Sequence, residues 1–331
     1  MNHRPSSSQL LNKAITGFLN FKTAEGMADR TIDSYDKTLN RWLAYTGEVA
    51  VPKITSQKIS QYLIWLRTEY VPQRFNGKTH PLSPKTLRNV WVILSSFFTW
   101  ACREFKFPNP MKEIPAPKFQ RTPVEPFTQL EVEQMLKACI YSRESDTTDR
   151  KKFVMRRPTA NRDQAVLITL LDTGLRASEL CALKIGDLDQ KRGKLDVRHG
   201  VEGGAKGGKG RTVYLGKVAR HSVWRYLAER EDGEDPEAPL FTVNMGRQLN
   251  KDVLRRLIER IGERAGVKNA YPHKFRHTFS IMYLRSGGDV FTLQILLGHS
   301  SLDMVRYYAQ IAQVDVEQAH RKASPADHWR L

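Results

Sequence analysis

The sequence predicts a mainly α-helical protein of two domains, with a small antiparallel β-sheet in the second. Three observations lead there. Apolar residues recur at helical spacing through the first third of the chain. A proline-dense stretch then interrupts every regular pattern. Beyond it the pattern is again helical, except after Asp187, where two short strand-like runs flank a Gly/Lys-rich loop. A length of 331 residues suits two ordinary domains. The expected division is a helical domain over 1–107, a linker over 108–126, and a second domain with a C-terminal tail over 127–331.

In the first domain the segment Thr31 to Tyr45 carries Ile32, Tyr35, Leu39, Trp42 and Leu43 on one helical stripe. From Ser56 to Glu69 the stripe is Ile59, Tyr62, Leu63 and Leu66, and from Ser83 to Glu104 it includes Leu87, Val90, Leu94, Phe97, Phe98 and Ala101. Ser83-Pro84 supplies an N-cap and a first-turn proline. A further helix is expected around Gln9 to Ala24, and a Pro- and Gly-bearing loop over 71–82. The four helices carry many Lys and Arg on their polar faces.

Between Phe107 and Phe127 stand Pro108, Pro110, Pro115, Pro117, Pro123 and Pro126, with Lys112, Lys118 and Arg121 among them. This density of proline blocks helix and central strand and predicts an extended, basic linker. Thr128-Gln129-Leu130-Glu131 is a capping box, so a helix begins there. The highly charged residues 143–163 predict a surface loop. A buried helix over Gln164 to Leu171 is stopped at Thr173-Gly174, and a shorter one starts near Ser178. Lys194 to Arg198 and Arg211 to Leu215 read as two strands of a hairpin with its loop at 200–210. The rest is expected to be helical, with breaks at Gly287-Gly288 and Gly298.

Charge narrows the function. Lys and Arg number 53 against 35 Asp and Glu, so the net charge is 53 − 35 = +18. That surplus favours a polyanionic partner. No apolar run is long enough to span a bilayer, and the start Met1-Asn2-His3-Arg4-Pro5 lacks the apolar core of a signal peptide. The expectation is a cytoplasmic protein, with no membrane partner. Cys102, Cys139 and Cys181 are odd in number, far apart and set in apolar stretches. They predict buried thiols, neither a disulfide framework nor a metal site.

Four stretches of the second domain carry residues suited to phosphate chemistry. In Thr173-Gly174-Leu175-Arg176-Ala177-Ser178-Glu179-Leu180, Arg176 sits in a tight turn between helices. Its planar fork matches two phosphate oxygens. The loop Gly203 to Arg211 nearly matches a nucleotide phosphate loop. It fails because Gly210 stands where Ser/Thr would bind magnesium, and because it joins strand to strand. Lys206 and Lys209 would then present an ammonium at a mobile hairpin tip. In Pro272-His273-Lys274-Phe275-Arg276-His277-Thr278, a helix puts His273, Arg276 and His277 on one face. Two histidines four apart suggest zinc, but Lys274 occupies the position of the zinc-protease Glu and Arg276 would repel a cation. Last, Leu297-Gly298-His299-Ser300 forms a helix break, with Tyr308 nine residues beyond His299.

Together these stretches resemble the tyrosine recombinase (phage integrase) family. That family carries a TGLR-x-SEL stretch, a hairpin lysine, an H-x-x-R-H-T stretch, an LGH-S stretch and a tyrosine nine residues after that histidine. All five occur here in order. The resemblance covers about 125–312, and reaches the N-terminal domain only in its style of four basic helices, like the family's core-binding domain. It implies that Arg176 and Arg276 clamp a scissile phosphate, assisted by His273 and His299, and that Tyr308 is the nucleophile. Lys206 aligns with the hairpin lysine, with Lys209 as its rival, and Glu179 would orient a neighbour. Two departures stand out: Tyr307 directly precedes Tyr308, and Gln310 stands where many members have histidine.

The chemistry this implies is self-consistent. A tyrosine, with an ordinary pKa near 10, needs a base or nearby cations to act as a nucleophile at neutral pH. Two guanidiniums answer the charge that builds on the phosphate oxygens. His273 would serve as base and Lys206 as general acid to the leaving deoxyribose oxygen. A 3′-phosphotyrosine and a free 5′-hydroxyl would result, with no ATP, metal or other cofactor. The implied partners are a double-stranded DNA recombination site and three further copies, a homotetramer on two sites, in which the segment Val314 to Leu331 suits exchange between protomers. Two rival readings share these residues: a topoisomerase with the same phosphotyrosine, and a catalytically idle DNA-binding regulator.

Overall fold

The computed structural model describes residues 9–73, 79–120, 124–142, 145–147, 150–198, 210–243, 246–298, 303–312, 320 and 324. The chain divides into two compact units, Met1–Thr122 and Pro123–Leu331.

The first unit holds four helices: α1 (Leu11–Ala24), α2 (Asp29–Thr46), α3 (Ser56–Thr68) and α4 (Pro84–Phe105). Their apolar stripes meet in one core. Phe18, Trp42, Tyr62, Phe97 and Phe98 are fully buried there, with Trp42 and Tyr62 edge to face at 4.8 Å and Phe18 edge-on to Phe97 at 5.5 Å. The termini follow the expected signals. Thr55 caps α3 by accepting from Lys58 N, and Ser83 caps α4 by accepting from Thr86 N, with Pro84 at the first position.

The proline-dense stretch is not a free strand over its first part. Asn109 caps a 3₁₀ turn, Pro110–Glu113, and Met111 and Ile114 are buried in the first unit's core. Trp91 donates its indole N–H to Ile114 O at 3.1 Å, and Arg88 donates to Pro117 O at 3.2 Å. The prolines forbid a long helix, but their spacing leaves Met111 and Ile114 free to pack.

In the second unit, α5 (Gln129–Ile140) starts on the complete Thr128–Glu131 capping box. Strands β1 (Ser145–Thr147) and β2 (Arg150–Phe153) pair antiparallel within the segment expected to be only a surface loop. The helix that follows, α6 (Ala160–Thr173), starts four residues before the expected Gln164. The reason is an internal ion pair. Asp163 is fully buried and bonded to Arg162 at 2.7 Å, to Thr159 Oγ1 at 3.0 Å and to Arg157 at 3.5 Å. Part of the charge that suggested solvent is therefore turned inward.

Next come α7 (Ala177–Ala182) and the sheet of β3 (Leu188–Asp189), β4 (Lys194–Val197) and β5 (Arg211–Tyr214), antiparallel in the order β3-β4-β5. Helices α8 (Lys217–Leu227), α9 (Lys251–Ala265), α10 (Pro272–Arg285), α11 (Val290–Leu297) and α12 (Asp303–Ala312) complete the unit. The stretch between α8 and α9 is irregular, not helical as expected, because Gly233, Pro236 and Pro239 interrupt it. Arg230 ties that stretch down by donating to Pro239 O and Leu240 O. Helix α6 lies at the centre, against α5, α8 and α10. Cys102, Cys139 and Cys181 are free thiols. Burial pushes the thiols of Cys139 and Cys181 up to about 12, which keeps them unreactive at neutral pH. Among the described residues no helix is long and apolar enough to cross a membrane, and no cluster of three or more His, Cys, Asp or Glu converges on a metal-sized site.

Gly174 closes α6 in the left-handed region, at φ 61°. A Cβ there would overlap the Phe279 ring and press on Leu297 at 3.0 Å. Gly174→Ala is therefore expected to cost about 2–4 kcal/mol, the sum of left-handed strain and overpacking. A urea unfolding curve measures this directly, and a change below about 0.5 kcal/mol would contradict it.

Candidate active site

The site is built where four element ends meet: the C-terminus of α6, the start of α7, the start of β5 and the C-terminus of α11. Helix α11 ends at Gly298, which takes the left-handed conformation (φ 61°) and returns its N–H to Ile295 O. The carbonyls of the last turn have no intrahelical donor. Three of them accept from three different arginines. Arg211 Nε donates to Leu296 O at 2.6 Å, Arg276 Nη2 to Leu297 O at 2.8 Å, and Arg176 Nη2 to Gly298 O at 3.2 Å. Arg276 also donates to Gly174 O at 2.8 Å, at the end of α6.

Glu179 ties two of these guanidiniums together. Its carboxylate accepts from Arg211 at 2.8 and 2.9 Å in a bidentate pair, and from Arg176 Nη1 at 2.7 Å. It also accepts from the backbone N–H of Arg176 at 2.8 Å, which caps the first turn of α7. Burial alone would raise its pKa, but the bonds from Arg211 and then Arg176 overcome this and bring it down to about 2. Glu179 is thus a fixed anion that sets the direction of Arg176.

Arg276 is 1% exposed. Burial first, and then the charges of Arg176 and Arg211 against that of Glu179, bring its pKa down to about 9. It stays charged at neutral pH in a pocket that disfavours a further cation. An anion seated beside it would relieve that disfavour.

Tyr308 lies in the same pocket. It is 1% exposed, on α12, packed among Ile281, Leu284, Leu293, Leu297 and Val305. Its hydroxyl is 2.8 Å from His277 Nδ1, the tautomer of the ring deciding which group donates. Burial raises the Tyr308 pKa, and the nearby guanidiniums of Arg276 and Arg176 oppose the rise. The His277 ring meets the His273 ring at 4.3 Å. Burial, His273 and Arg276 bring the His277 pKa down to about 4, so this imidazole is neutral at pH 7.

The structure therefore brings together Arg176, Arg276, His273 and Tyr308 of the residues singled out in the sequence. His273 sits exposed in the first turn of α10. The ring bonded to the phenol is that of His277, although the sequence argument gave the proton-accepting role to His273. Tyr307, the neighbour that clouded the register, is half-buried, and the fully buried phenol is that of Tyr308. Lys206, its rival Lys209, and His299 lie outside the described residues. Sequence reasoning put His277 on one face with His273 and Arg276 but gave it no catalytic role of its own, and gave none to Arg211. His277 lies within the H-x-x-R-H-T stretch itself, while Arg211 opens the strand after the Gly-rich loop, and only the fold puts it against Glu179.

The depressed Glu179 acid carries a stability consequence with a definite sign. A carboxyl at 4.5 when unfolded and about 2 when folded stabilises the fold above pH 4.5. That contribution, on the order of 3 kcal/mol, is lost as pH falls from 4.5 towards 2. In Glu179→Gln the unfolding free energy should lose part of its slope over this window, and the neutral-pH stability should fall because the largely buried Arg211 and the half-buried Arg176 lose their anion. Urea unfolding at pH 3, 4, 5 and 7 tests it. An unchanged slope would place the acid-sensitive group elsewhere.

Comparison with known proteins matches this architecture. The family model described as "Phage integrase family" matches residues 126–314, and the one described as "Phage integrase, N-terminal SAM-like domain" matches 15–105. The chain is 29% identical over 320 residues to "Tyrosine recombinase XerC" of Thermodesulfovibrio yellowstonii, covering 94% of this chain and 96% of that one. It is 28% identical over 317 residues to "Tyrosine recombinase XerA" of Thermococcus kodakarensis, covering 94% and 95%. In fold it is similar to the Tn1549 transposon integrase in complex with a circular intermediate DNA, with a TM-score of 0.69, 20% identity and coverage of 96% and 99%. It is also similar to the XerH site-specific recombinase bound to a palindromic difH substrate, with a TM-score of 0.65, 20% identity and coverage of 96% and 85%. With a buried tyrosine and arginine cluster inside the matched region, this chain belongs to the phage integrase family of tyrosine recombinases.

Proposed function

We infer that this protein is a site-specific recombinase that cuts and rejoins duplex DNA through a 3′-phosphotyrosine on Tyr308, without ATP or metal. The observation that carries the reading is the placement of the Tyr308 hydroxyl. It is bonded to a neutral imidazole and lies within electrostatic reach of Arg276 and Arg176. The +18 charge of the chain supports a duplex partner held mainly by its phosphates. The solved structures with this fold, an integrase with circular intermediate DNA and a recombinase on a difH substrate, support the same partner.

The chemistry runs as an in-line displacement. The scissile phosphate takes the seat between Arg176 and Arg276, whose charges answer the growing charge on its non-bridging oxygens. The Tyr308 oxygen attacks phosphorus as its proton passes to an imidazole, with His277 already bonded to it and His273 beside that ring. The P–O5′ bond breaks, and the 5′-oxygen takes a proton from Lys206 or Lys209. His299 contributes a further contact to the phosphate. Rejoining is the reverse, with a 5′-hydroxyl from a second strand as nucleophile, so the energy of the broken bond is kept. Because Tyr308 is buried, its side chain must turn towards the phosphate before it attacks, and DNA binding supplies that turn. The proposed assembly is a homotetramer on two DNA sites, in the cytoplasm at the nucleoid. The segment Val314 to Leu331, which lies outside the described residues apart from 320 and 324, would pass between protomers.

A nicked duplex carrying the protein's own site, recovered by binding selection, tests this. The wild-type protein should form a covalent adduct, which Tyr308→Phe abolishes and Tyr307→Phe retains. Arg276→Lys should slow adduct formation at least 100-fold, since one ammonium cannot replace the bidentate fork. Absence of any adduct from the wild-type protein would overturn the reading. A 5′-bridging sulfur in the substrate leaves without a proton. It should restore cleavage to whichever of Lys206→Ala and Lys209→Ala has lost the general acid, and leave the other unaffected.

A further inference from the structure

A second concave site lies on the solvent side of α8, away from the arginine cluster. It is an open, shallow groove of about 600 Å³ lined by Gln190, Lys191, Lys217, Arg220, His221 and Trp224. Strand β5 separates the two sites. Arg211, at its start, is bonded to Glu179, and Leu215, just past its end, donates to Gly193 O beside the second site. Four residues of strand put roughly 13 Å between them.

The lining combines an exposed aromatic surface with three basic side chains. Trp224 is 54% exposed, although tryptophan is buried in most folds. His221 stacks against it at 5.8 Å and 26°, one helical turn away on α8, which widens the flat aromatic surface. Around these rings stand three cations. Arg220 is fixed by donating to Gln190 O at 3.0 Å and Lys191 O at 2.6 Å. Gly193 keeps it there, since a Cβ at that position would meet Arg220 Cδ at 2.8 Å. Among the described residues, none of Lys191, Lys217 and Arg220 is ion-paired with a carboxylate.

We propose that this site binds a nucleotide unit, a base stacked on Trp224 with its phosphate held by Lys191, Lys217 and Arg220. A bare anion would not need the exposed indole, and an apolar ligand would not need three cations that no carboxylate neutralises. A base has to be unpaired to offer its face, so the ligand is single-stranded nucleic acid or a free nucleotide and not intact duplex. This site is independent of the strand-cutting chemistry proposed above.

Fluorescence anisotropy of a labelled ten-residue oligothymidylate, with thymidine 5′-monophosphate as competitor, tests it on the full chain. Trp224→Ala should weaken oligonucleotide binding about tenfold, Trp224→Phe should restore most of it, and the pair Lys191→Glu/Lys217→Glu should weaken it about tenfold again by charge alone. Duplex binding should be unchanged in all three. Competition at a similar affinity by the monophosphate identifies a free nucleotide as the ligand. Competition only at concentrations more than ten times higher identifies a single strand. No oligonucleotide binding by the wild type, or a loss of less than threefold in both Trp224→Ala and the lysine pair, would overturn the proposal.

Discussion

The end of α11 is the constraint on which the rest depends. Its last carbonyls, Leu296, Leu297 and Gly298, each hold a different arginine, one from β5, one from α10 and one from the start of α7. A helix C-terminus carries partial negative charge and unsatisfied acceptors, so it can hold guanidiniums without neutralising them. Glu179 then fixes two of the three by direct bonds. Three cations around one carboxylate leave a local surplus of positive charge in a buried place. The Arg276 pKa is lowered by its burial first, and then by the charges of Arg176 and Arg211. Such a seat suits a phosphodiester, whose charge grows during displacement.

Packing and chemistry use the same residues here. Gly174 and Gly298 both adopt left-handed backbone at helix ends, which aims the Gly174 and Gly298 carbonyls at Arg276 and Arg176. Tyr308 belongs to the small apolar core formed by α10, α11 and α12, and its hydroxyl alone reaches the polar side, at His277. The phenol is thus held in an apolar core with its hydroxyl at the edge. The position of the Tyr308 hydroxyl is therefore set by one short helix, α12, while the arginine cluster is set by α6, α7, β5, α10 and α11.

Much of the fold was legible because its signals are local. Thr128-Glu131 gave a capping box, Ser83-Pro84 a helix start, and the stripe from Leu87 to Ala101 a buried face, and each stands in the structure. The misreadings came from partners distant in sequence or hidden by charge. Asp163 looked like a solvent-exposed residue because a run of charges does not show that its carboxylate turns inward while the half-buried Arg162 and Arg157 pair with it. Met111 and Ile114 were hidden by the prolines around them. In the site, Arg176, Arg276 and Tyr308 were legible from motif spacing. Arg211 was not, because its tie to Glu179 spans 32 residues and forms only when β5 lies beside α7. His277 was in view, but choosing between two imidazoles one turn apart needs the direction of the Tyr308 hydroxyl.

The measurement that bears most directly on this account is the identity of the amino acid joined to DNA. Protease digestion of a trapped protein–DNA complex, followed by peptide mass analysis, locates the phosphate-bearing residue. The account predicts one adduct, a 3′-phosphate on Tyr308, within the peptide that contains both adjacent tyrosines. A phosphate on Tyr307, or on any residue outside α12, would contradict it.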